Sequence, residues 1–276
     1  YREPVDDQTQ SLDDASVFYA EVGHLVLLKI RPYREEAWRY LIFNSLTRQV
    51  LRIDKIGQSC VQLPENHGVI FPGGYYLQTG EYKSFDEENR DFRFKRMIRS
   101  PNGEDVLYVF YEPANGLVCL LAYNLIEKKL QNPLYGNGYA LADNGELVIF
   151  SAEKEPTRIH PMQIWQTPYQ TAEFASKAPA PQNFYGRIGN NDLVRGISDF
   201  YSLVRIINNQ SVSVRLYEEL SQTAKKTFDA YRWLLENDVQ DIASEQKEIS
   251  ATAELVIDEF EKVESIRQQS AKAMQE

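Results

Sequence analysis

Short apolar runs recur through the first part of the chain, and each is bounded by Gly, Pro, Asn-Gly or Asp-Asn-Gly. Apolar runs of a few residues between such turn signals are typical of antiparallel strands joined in a meander. The most regular series lies between Gly103 and Pro168. Its apolar runs predict strands near 106–111, 117–124, 138–142, 147–152 and 162–167.

An earlier series begins at Val17 and has the same organisation. Its apolar runs predict strands near 25–30, 38–43, 50–53, 60–63 and 69–78. The last of these runs is interrupted by Pro72-Gly73-Gly74, which predicts a bulge or bend in its middle.

The two series are copies of one pattern. Residues 23–53 align without a gap against residues 103–133, and this alignment sets Asn44 against Asn124. An internal repeat of this kind indicates that one structural unit occurs twice in the chain.

The alignment continues with a one-residue slip, which sets 67–71 against 146–150. Each copy has the strand density of a propeller blade with one extra strand, or of a small sandwich. We therefore predict a β-rich domain over 1–169 with two blade-like units, at about 17–85 and 100–169. Two blades cannot close a ring, so a closed propeller would need blades from elsewhere in a longer polypeptide or from another chain.

The composition changes after Pro168. The dipeptide repeat at 178–181, Ala-Pro-Ala-Pro, predicts a linker over 170–189, and helical signals fill 190–276. Helices are predicted from about Asn190 to Ile207, from Ser213 to Glu236 and from Val239 to the end.

In the last predicted helix, Ile242, Ile249, Val256 and Val263 recur every seven residues. Two interpretations stay open: a helical hairpin that packs on itself or on the sheets, or a coiled-coil arm that continues past Glu276 and can self-associate. The predicted fold class is α+β, an antiparallel β-propeller-like repeat followed by a helical hairpin or coiled-coil arm.

Composition narrows the classes of function. The net charge of −10 opposes a broad nucleic-acid-binding surface, because such surfaces displace counterions with clustered Lys and Arg. Cys60 and Cys119 lie in apolar runs and are expected to be reduced structural thiols. A signal peptide and a membrane-spanning run are both absent from the sequence, so we expect a cytoplasmic protein without membrane contact. The chain starts with Tyr and stops within a helical pattern, which indicates a piece of a longer polypeptide.

A basic strip follows an acidic stretch between the two copies. Its cations are Arg90, Arg93, Lys95, Arg96 and Arg99. If this strip is a strand, alternation puts Phe92, Phe94, Arg96 and Ile98 on one face. Cations beside aromatic rings can bind single-stranded nucleic acid. The same charges also protect an edge strand from unwanted pairing, and that interpretation is favoured because Asp and Glu residues lie next to the strip.

Motifs for catalysis or cofactor binding are missing. The three histidines have no metal-site spacing, and there is no P-loop, no Gly-x-Ser-x-Gly elbow and no dinucleotide fingerprint. We expect neither a metal nor a cofactor, and no enzyme activity from this chain alone.

The most unusual polar cluster lies between Glu153 and Pro168. Its candidate ligand or partner contacts are Glu155, Arg158, His160, Gln163 and Trp165. A carboxylate beside a histidine could serve as a general acid or base, although Arg158 is more simply an ion-pair partner for the carboxylates. Tyr75 and Tyr76, in the first copy, are candidate interface residues because aromatic side chains with polar tips are enriched at interfaces.

Several stretches carry a resemblance to a known family. The runs Phe71–Lys83, Phe150–Glu153, Glu155–Arg158 and His160–Pro168 resemble an uncharacterised region of very large bacterial AAA-type ATPases described as DNA repair ATPases. The resemblance spans most of 17–276 and implies an ATPase domain downstream in the same polypeptide, together with coiled coil. It implies no catalytic residue for this region.

The leading interpretation is a non-catalytic scaffold or partner-binding module of a larger ATPase, with a link to DNA repair through the parent molecule. Its partners are expected to be other domains of the parent chain or other proteins. The alternatives are a nucleic-acid-binding module that uses residues 90–99, and a small enzyme or carbohydrate-binding domain that uses the 153–165 cluster.

Overall fold

The structure is a computed structural model that describes residues 1–85, 91–152, 158–179, 182, 188–208, 213–235 and 240–273. It is an α+β fold with four antiparallel sheets followed by helices. Along the chain it divides into two compact units, Tyr1–Val194 and Arg195–Glu276. The first unit contains all four sheets, and the second contains most of the helical residues.

The first two sheets are four-stranded meanders in chain order. The first sheet consists of β1 (Ser16–Val22), β2 (Leu25–Arg31), β3 (Arg39–Asn44) and β4 (Gln49–Arg52). The second consists of β5 (Val61–Gln62), β6 (Gly68–Phe71), β7 (Gly74–Leu77) and β8 (Tyr82–Ser84). Short 3-10 turns at Leu12–Asp14, Asp54–Gly57 and Pro64–Asn66 lie in the connections.

The third and fourth sheets follow the same plan. The third sheet has the order β12-β11-β10-β9, and β13 also pairs with β11. Its strands are β9 (Arg93–Arg99), β10 (Asp105–Glu112), β11 (Leu117–Asn124), β12 (Lys129–Leu130) and β13 (Leu134–Gly136). The fourth consists of β14 (Gly138–Leu141), β15 (Glu146–Phe150) and β16 (Met162–Gln166).

The four sheets stack in the order of the chain, with one hydrophobic cluster between each consecutive pair. The first cluster joins sheets one and two, the second joins sheets two and three, and the third joins sheets three and four. Sheets two and three therefore bury both faces. In β6, Val69 and Phe71 face the first sheet while Ile70 faces the third, which explains why this strand shows no polar alternation.

The internal repeat is confirmed at the level of single hydrogen bonds. The Asn44 carboxamide oxygen accepts from the backbone N–H groups of Leu46 and Thr47. The Asn124 carboxamide oxygen, 80 residues later, accepts in the same way from Ile126 and Glu127. Side-chain oxygens that cap a turn two and three residues on are the reason that Asn is favoured there.

The backbone repeats as closely as the side chains. Ser45 donates its N–H to the carbonyl of His24 at 2.9 Å, and Leu125 donates to the carbonyl of Glu104 at 2.8 Å. The left-handed residues that follow are Arg48, with a φ of 55°, and Lys128, with a φ of 53°.

Each copy forms two sheets, where the sequence predicted one blade-like unit. The described sheets do not close into a propeller. The predicted one-residue slip in the alignment is also wrong, because it would set Val69 against Val148. Val69 faces the first sheet, whereas Val148 is not part of the hydrophobic cluster between the third and fourth sheets. A slip of one residue reverses the faces of a strand. The offset of 80 residues, which sets Val69 against Ile149, keeps both side chains facing the preceding sheet.

The predicted bulge in the run 69–78 is instead a hairpin turn. Phe71 pairs with Gly74, so Pro72 and Gly73 form the turn between β6 and β7. Gly73 has a φ of 75°, a conformation that glycine adopts without steric cost. The remaining predicted strands all occur, with boundaries shifted by one or two residues.

The helices are α1 (Ala172–Ala175), α2 (Asn190–Ile207), α3 (Val214–Ala230), α4 (Arg232–Leu235) and α5 (Gln240–Ala273). The short helix α1 lies in the predicted linker. Ser213 caps α3 by accepting the backbone N–H of Leu216 at 3.3 Å. The junction between the second and third predicted helices, at 237–238, lies outside the described residues.

The last two long helices pack together. Their shared core contains Leu220, Ala224 and Phe228 from α3 and Ala253 from α5. Leu203 of α2 joins the same cluster. Ala224 and Ala253 are both fully buried, and their small side chains let the helix backbones approach closely.

Candidate functional site

The predicted polar cluster near β16 is only partly brought together. Glu155 lies outside the described residues, whereas Arg158 and His160 are exposed in the segment before β16. Gln163 and Trp165 share one face of β16, and the indole N–H of Trp165 donates to the carboxamide oxygen of Gln163 at 3.3 Å. Among the described residues, no hydrogen bond joins Arg158 or His160 to that pair.

The two candidate interface tyrosines lie in the core. Tyr75 is 1% exposed and its hydroxyl donates to a carboxylate oxygen of Glu81 at 2.6 Å. Tyr76 is 2% exposed and belongs to the cluster between the first and second sheets. Burial leaves neither ring on a surface where a partner could contact it.

The predicted basic strip forms β9, the edge strand of the third sheet. Arg90 lies outside the described residues. Val109 and Phe110 are adjacent on β10, but their partners on β9, Arg96 and Phe94, are two residues apart. The residue between those partners, Lys95, is unpaired and forms a β-bulge. Because the bulge reverses the alternation, Phe94 does not share a face with Arg96, and the predicted single face of Phe92, Phe94, Arg96 and Ile98 is wrong.

The cations of β9 contact aromatic rings and one carboxylate. Arg93 forms an ion pair with Asp91 at 3.2 Å. The Lys95 ammonium lies 5.3 Å from the ring centre of Tyr111, and the Arg96 guanidinium donates to the Tyr139 hydroxyl at 2.7 Å. Lys95, Arg96 and Arg99 are exposed and have no carboxylate partner among the described residues. This part of the edge keeps its positive charge.

The outer face of the fourth sheet carries exposed apolar side chains that the sequence analysis did not single out. Phe150 and Met162 are cross-strand partners, and Ile164 follows two residues later on the same face. Their side chains are 40%, 55% and 63% exposed. The sequence predicts a strand near 162–167 from alternating residue types, but it does not indicate which face of that strand stays uncovered. The stacking of the sheets determines that.

A second apolar surface runs along α5. Tyr217, near the start of α3, contacts Phe260 with the ring centres 6.4 Å apart. The helix continues to Ala273, and all side chains from Glu261 to Gln269 are exposed. The stripe on this helix consists of Leu255, Val256, Val263 and Ile266, and the first three border a shallow groove of about 330 Å³.

Neither cysteine is placed for chemistry. Burial raises the pKa of Cys60 to about 12, so its thiolate is scarce at neutral pH. Cys119 is fully buried in the cluster between the second and third sheets. Both are thiols.

Within the described ranges, no three His, Cys, Asp or Glu side chains converge as a metal site would require. The helices in those ranges also lack any stretch long and apolar enough to cross a bilayer. Described surfaces that could contact a partner include the β9 cations, the outer face of the fourth sheet and the α5 stripe.

Comparison with known proteins places the chain in a family. The sequence matches the DUF3686 family, whose description is "ATPase involved in DNA repair", over residues 1–232. That match covers all four sheets and the helices α1, α2 and α3. No curated protein and no solved structure matches the chain. Since the matched residues are well over half of the sequence, this chain belongs to the DUF3686 family of ATPases involved in DNA repair.

Proposed function

We propose that this chain is a non-catalytic partner-binding module of a larger ATPase. In this proposal, a propeller-like stack of sheets carries a helical hairpin, and the α5 stripe (Leu255, Val256, Val263 and Ile266) binds a helix of another domain or protein. The family description supports the ATPase context, and the long exposed helix supports the binding role.

The observation that carries the proposal is the apolar exposure of α5. Val263 and Ile266 are each 61% exposed, and they lie on one side of the helix with Leu255. Removing the apolar side of an amphipathic helix from water is favourable. A second helix, whose own apolar residues recur every three and four positions, could cover the α5 stripe in this way. Glu259 and Lys262 lie between these side chains on the same side of the helix and form an ion pair at 2.7 Å, so their charges offset each other within the stripe.

The test is binding between this chain and the nucleotide-binding region of its parent polypeptide, measured by calorimetry. We expect binding that the double substitution Val263→Glu and Ile266→Glu weakens at least tenfold, about 1.4 kcal/mol. The control is Ile197→Glu with Val204→Glu, which changes two apolar residues of similar exposure on α2. Equal losses in both variants, or ATP hydrolysis by the chain alone at an enzyme-like rate, would refute the proposal.

A second candidate function is nucleic-acid binding along β9. It is favoured by Lys95, Arg96 and Arg99, which are exposed and lack a carboxylate partner in the described part of the chain. Two nearby aromatic rings, Tyr111 and Tyr139, could stack on bases.

Fluorescence anisotropy with single-stranded DNA tests this candidate. Affinity should fall with rising salt and fall further in Lys95→Glu, because each lost phosphate contact removes part of the counterion release. Lys247→Glu, an exposed charge reversal on α5, is the control. An affinity that does not change with salt concentration, or that both variants weaken equally, would rule out nucleic-acid binding along β9.

A further inference from the structure

Strand β16 ends the fourth sheet with an unprotected edge. It pairs with β15 on one side, and no described residue pairs with its other side. Its five side chains, Met162 to Gln166, are all exposed and include neither a charge nor a proline. An edge of this composition is a template for pairing with another strand.

The other edges of the molecule are better protected. Strand β9 has four cations and a bulge, both of which discourage pairing. Strand β8 has only three residues, one of them Lys83. Strand β1 contains the carboxylate of Glu21, and three of the four residues of β14 are partly buried, so β16 is the described outer strand whose side chains are all exposed and uncharged.

The register determines which backbone groups of β16 face outwards. Thr167 donates its N–H to the carbonyl of Gly145 at 3.0 Å, and Ser151 donates to the carbonyl of Pro161 at 3.5 Å. Odd-numbered residues of this strand therefore bond to β15, because hydrogen-bonded pairs in an antiparallel ladder alternate along the strand. The N–H and C=O groups of Met162, Ile164 and Gln166 consequently point to the open edge.

We propose that β16 pairs antiparallel with β16 of a second copy of this chain, with Ile164 opposite Ile164 on the two-fold axis. The outward groups of Ile164 then bond to their own counterparts, and those of Met162 bond to those of Gln166 in the second copy. The result is a continuous six-stranded sheet, with the Phe150, Met162 and Ile164 side chains of both copies on one face.

The side chains of β16 match this self-pairing. On the opposite face, Trp165 comes to lie across from Gln163 of the second copy, which repeats between chains the hydrogen bond that these two residues make within one. Each chain carries a net charge of −10, so two copies repel each other, but pairing through the uncharged β16 sets no like charges directly opposite each other. Isologous contacts of this kind are the commonest form of protein symmetry.

Sedimentation velocity over a range of concentrations tests the proposal. We expect a dimer of twice 31.9 kDa, and Ile164→Lys should raise the dissociation constant at least tenfold because it sets two ammonium groups face to face. Val17→Lys, on the exposed edge strand β1, is the matched control and should leave the dimer intact. If Ile164→Lys does not fold, Met162→Lys serves the same purpose, since it loses the apolar contact without placing two cations opposite each other.

Amide hydrogen exchange gives a second readout with an alternating signature. The amides of Met162, Ile164 and Gln166 should gain protection as concentration rises, whereas those of Gln163 and Trp165 should be protected at every concentration. The proposal is overturned by a chain that stays monomeric, by a dimer that Ile164→Lys leaves unchanged, or by a dimer in which the even-numbered amides exchange freely.

Discussion

At the residue scale, two buried tyrosines differ in what their hydroxyl groups meet. Tyr75 and Tyr108 are both almost wholly buried. The Tyr75 hydroxyl donates to Glu81, whereas the Tyr108 hydroxyl has no hydrogen-bond partner in the described structure. Burial raises the pKa of Tyr108, which keeps the group neutral but leaves it without a partner. A buried hydroxyl without a partner costs about 1–3 kcal/mol.

Tyr108→Phe and Tyr75→Phe should therefore have different effects on the free energy of unfolding. Removing the Tyr108 hydroxyl should leave the free energy of unfolding unchanged or raise it by up to about 1 kcal/mol. Removing the Tyr75 hydroxyl should lower it by about 1–2 kcal/mol, because Glu81 loses a donor. Guanidinium unfolding measures both. A Tyr108→Phe variant as destabilised as Tyr75→Phe would show that this hydroxyl has a partner in solution.

Asp105 carries a second prediction at this scale, one that depends on pH. Burial and the nearby carboxylates of Glu104 and Glu127 raise its pKa above 3.8, and a hydrogen bond from Asn124 offsets part of that increase. A folded-state pKa above the unfolded one means that stability is lost as the pH rises through the folded pKa. Asp105→Asn removes this ionisation.

Asp105→Asn should therefore be more stable than the parent chain at pH 7, and the difference should vanish below pH 3.8. Urea unfolding at both pH values measures it, with Asp143→Asn, an exposed aspartate, as the control for the loss of one charge. A stability difference that is constant with pH would contradict the assignment.

At the element scale, β9 shows how one inserted residue reorients a strand. Lys95 has no partner on β10, whereas its neighbours Phe94 and Arg96 pair with Phe110 and Val109, which are adjacent. Removing Lys95 would therefore leave both pairs in register. Met97 is a regular member that pairs with Tyr108. The two positions therefore respond differently to deletion.

Deleting Lys95 should cost less than about 1 kcal/mol, which includes its contact with the Tyr111 ring. Deleting Met97 should cost more, about 1–3 kcal/mol, because Lys95 would enter the pairing and Arg96 would move opposite Tyr108, which removes its hydrogen bond to Tyr139. Thermal melting distinguishes the two variants. Equal losses would mean that the bulge itself stabilises the edge.

Most strands, but not their grouping, could be predicted from the sequence. Local turn residues such as Gly103 and Asn124 mark where each strand ends, and the same residues recur 80 positions apart. Pairing is decided at longer range. Nothing near Leu134 indicates that β13 joins β11, and nothing near Lys95 indicates a bulge.

The candidate sites were harder to predict because exposure depends on which faces the stack covers. Tyr75 and Tyr76 have the composition of interface residues, yet the first and third sheets bury them. Met162 and Ile164 are of types common in cores, yet more than half of each residue is exposed. Alternation places residues on a face but does not say whether another sheet packs there.

At the scale of the whole molecule, the hydrophobic cores follow the two compact units. Three clusters lie in Tyr1–Val194, and the helical cluster around Phe228 lies in Arg195–Glu276. Phe228 contacts Phe200 with ring centres 5.3 Å apart. Each core can therefore be weakened separately.

Phe228→Ala should cost the helical unit about 3–5 kcal/mol. Hydrogen exchange should rise across α3 and α5, while β6, β7, β10 and β11 keep their protection. Phe71→Ala, in the core between the first and second sheets, should show the reverse pattern. Loss of protection throughout the chain in either variant would indicate a single cooperative unit.

The 80-residue offset between the Asn44 and Asn124 turns also determines how this architecture can grow. One period contains two sheets: the contact within a pair buries one kind of face, and the contact between pairs buries the other. Tandem duplication of a whole period would recreate both contacts with residues that already exist. Loss of a single sheet would instead bring together two sheet faces whose side chains do not pack against each other in this structure. We therefore expect relatives of this chain to differ in length by whole pairs of sheets.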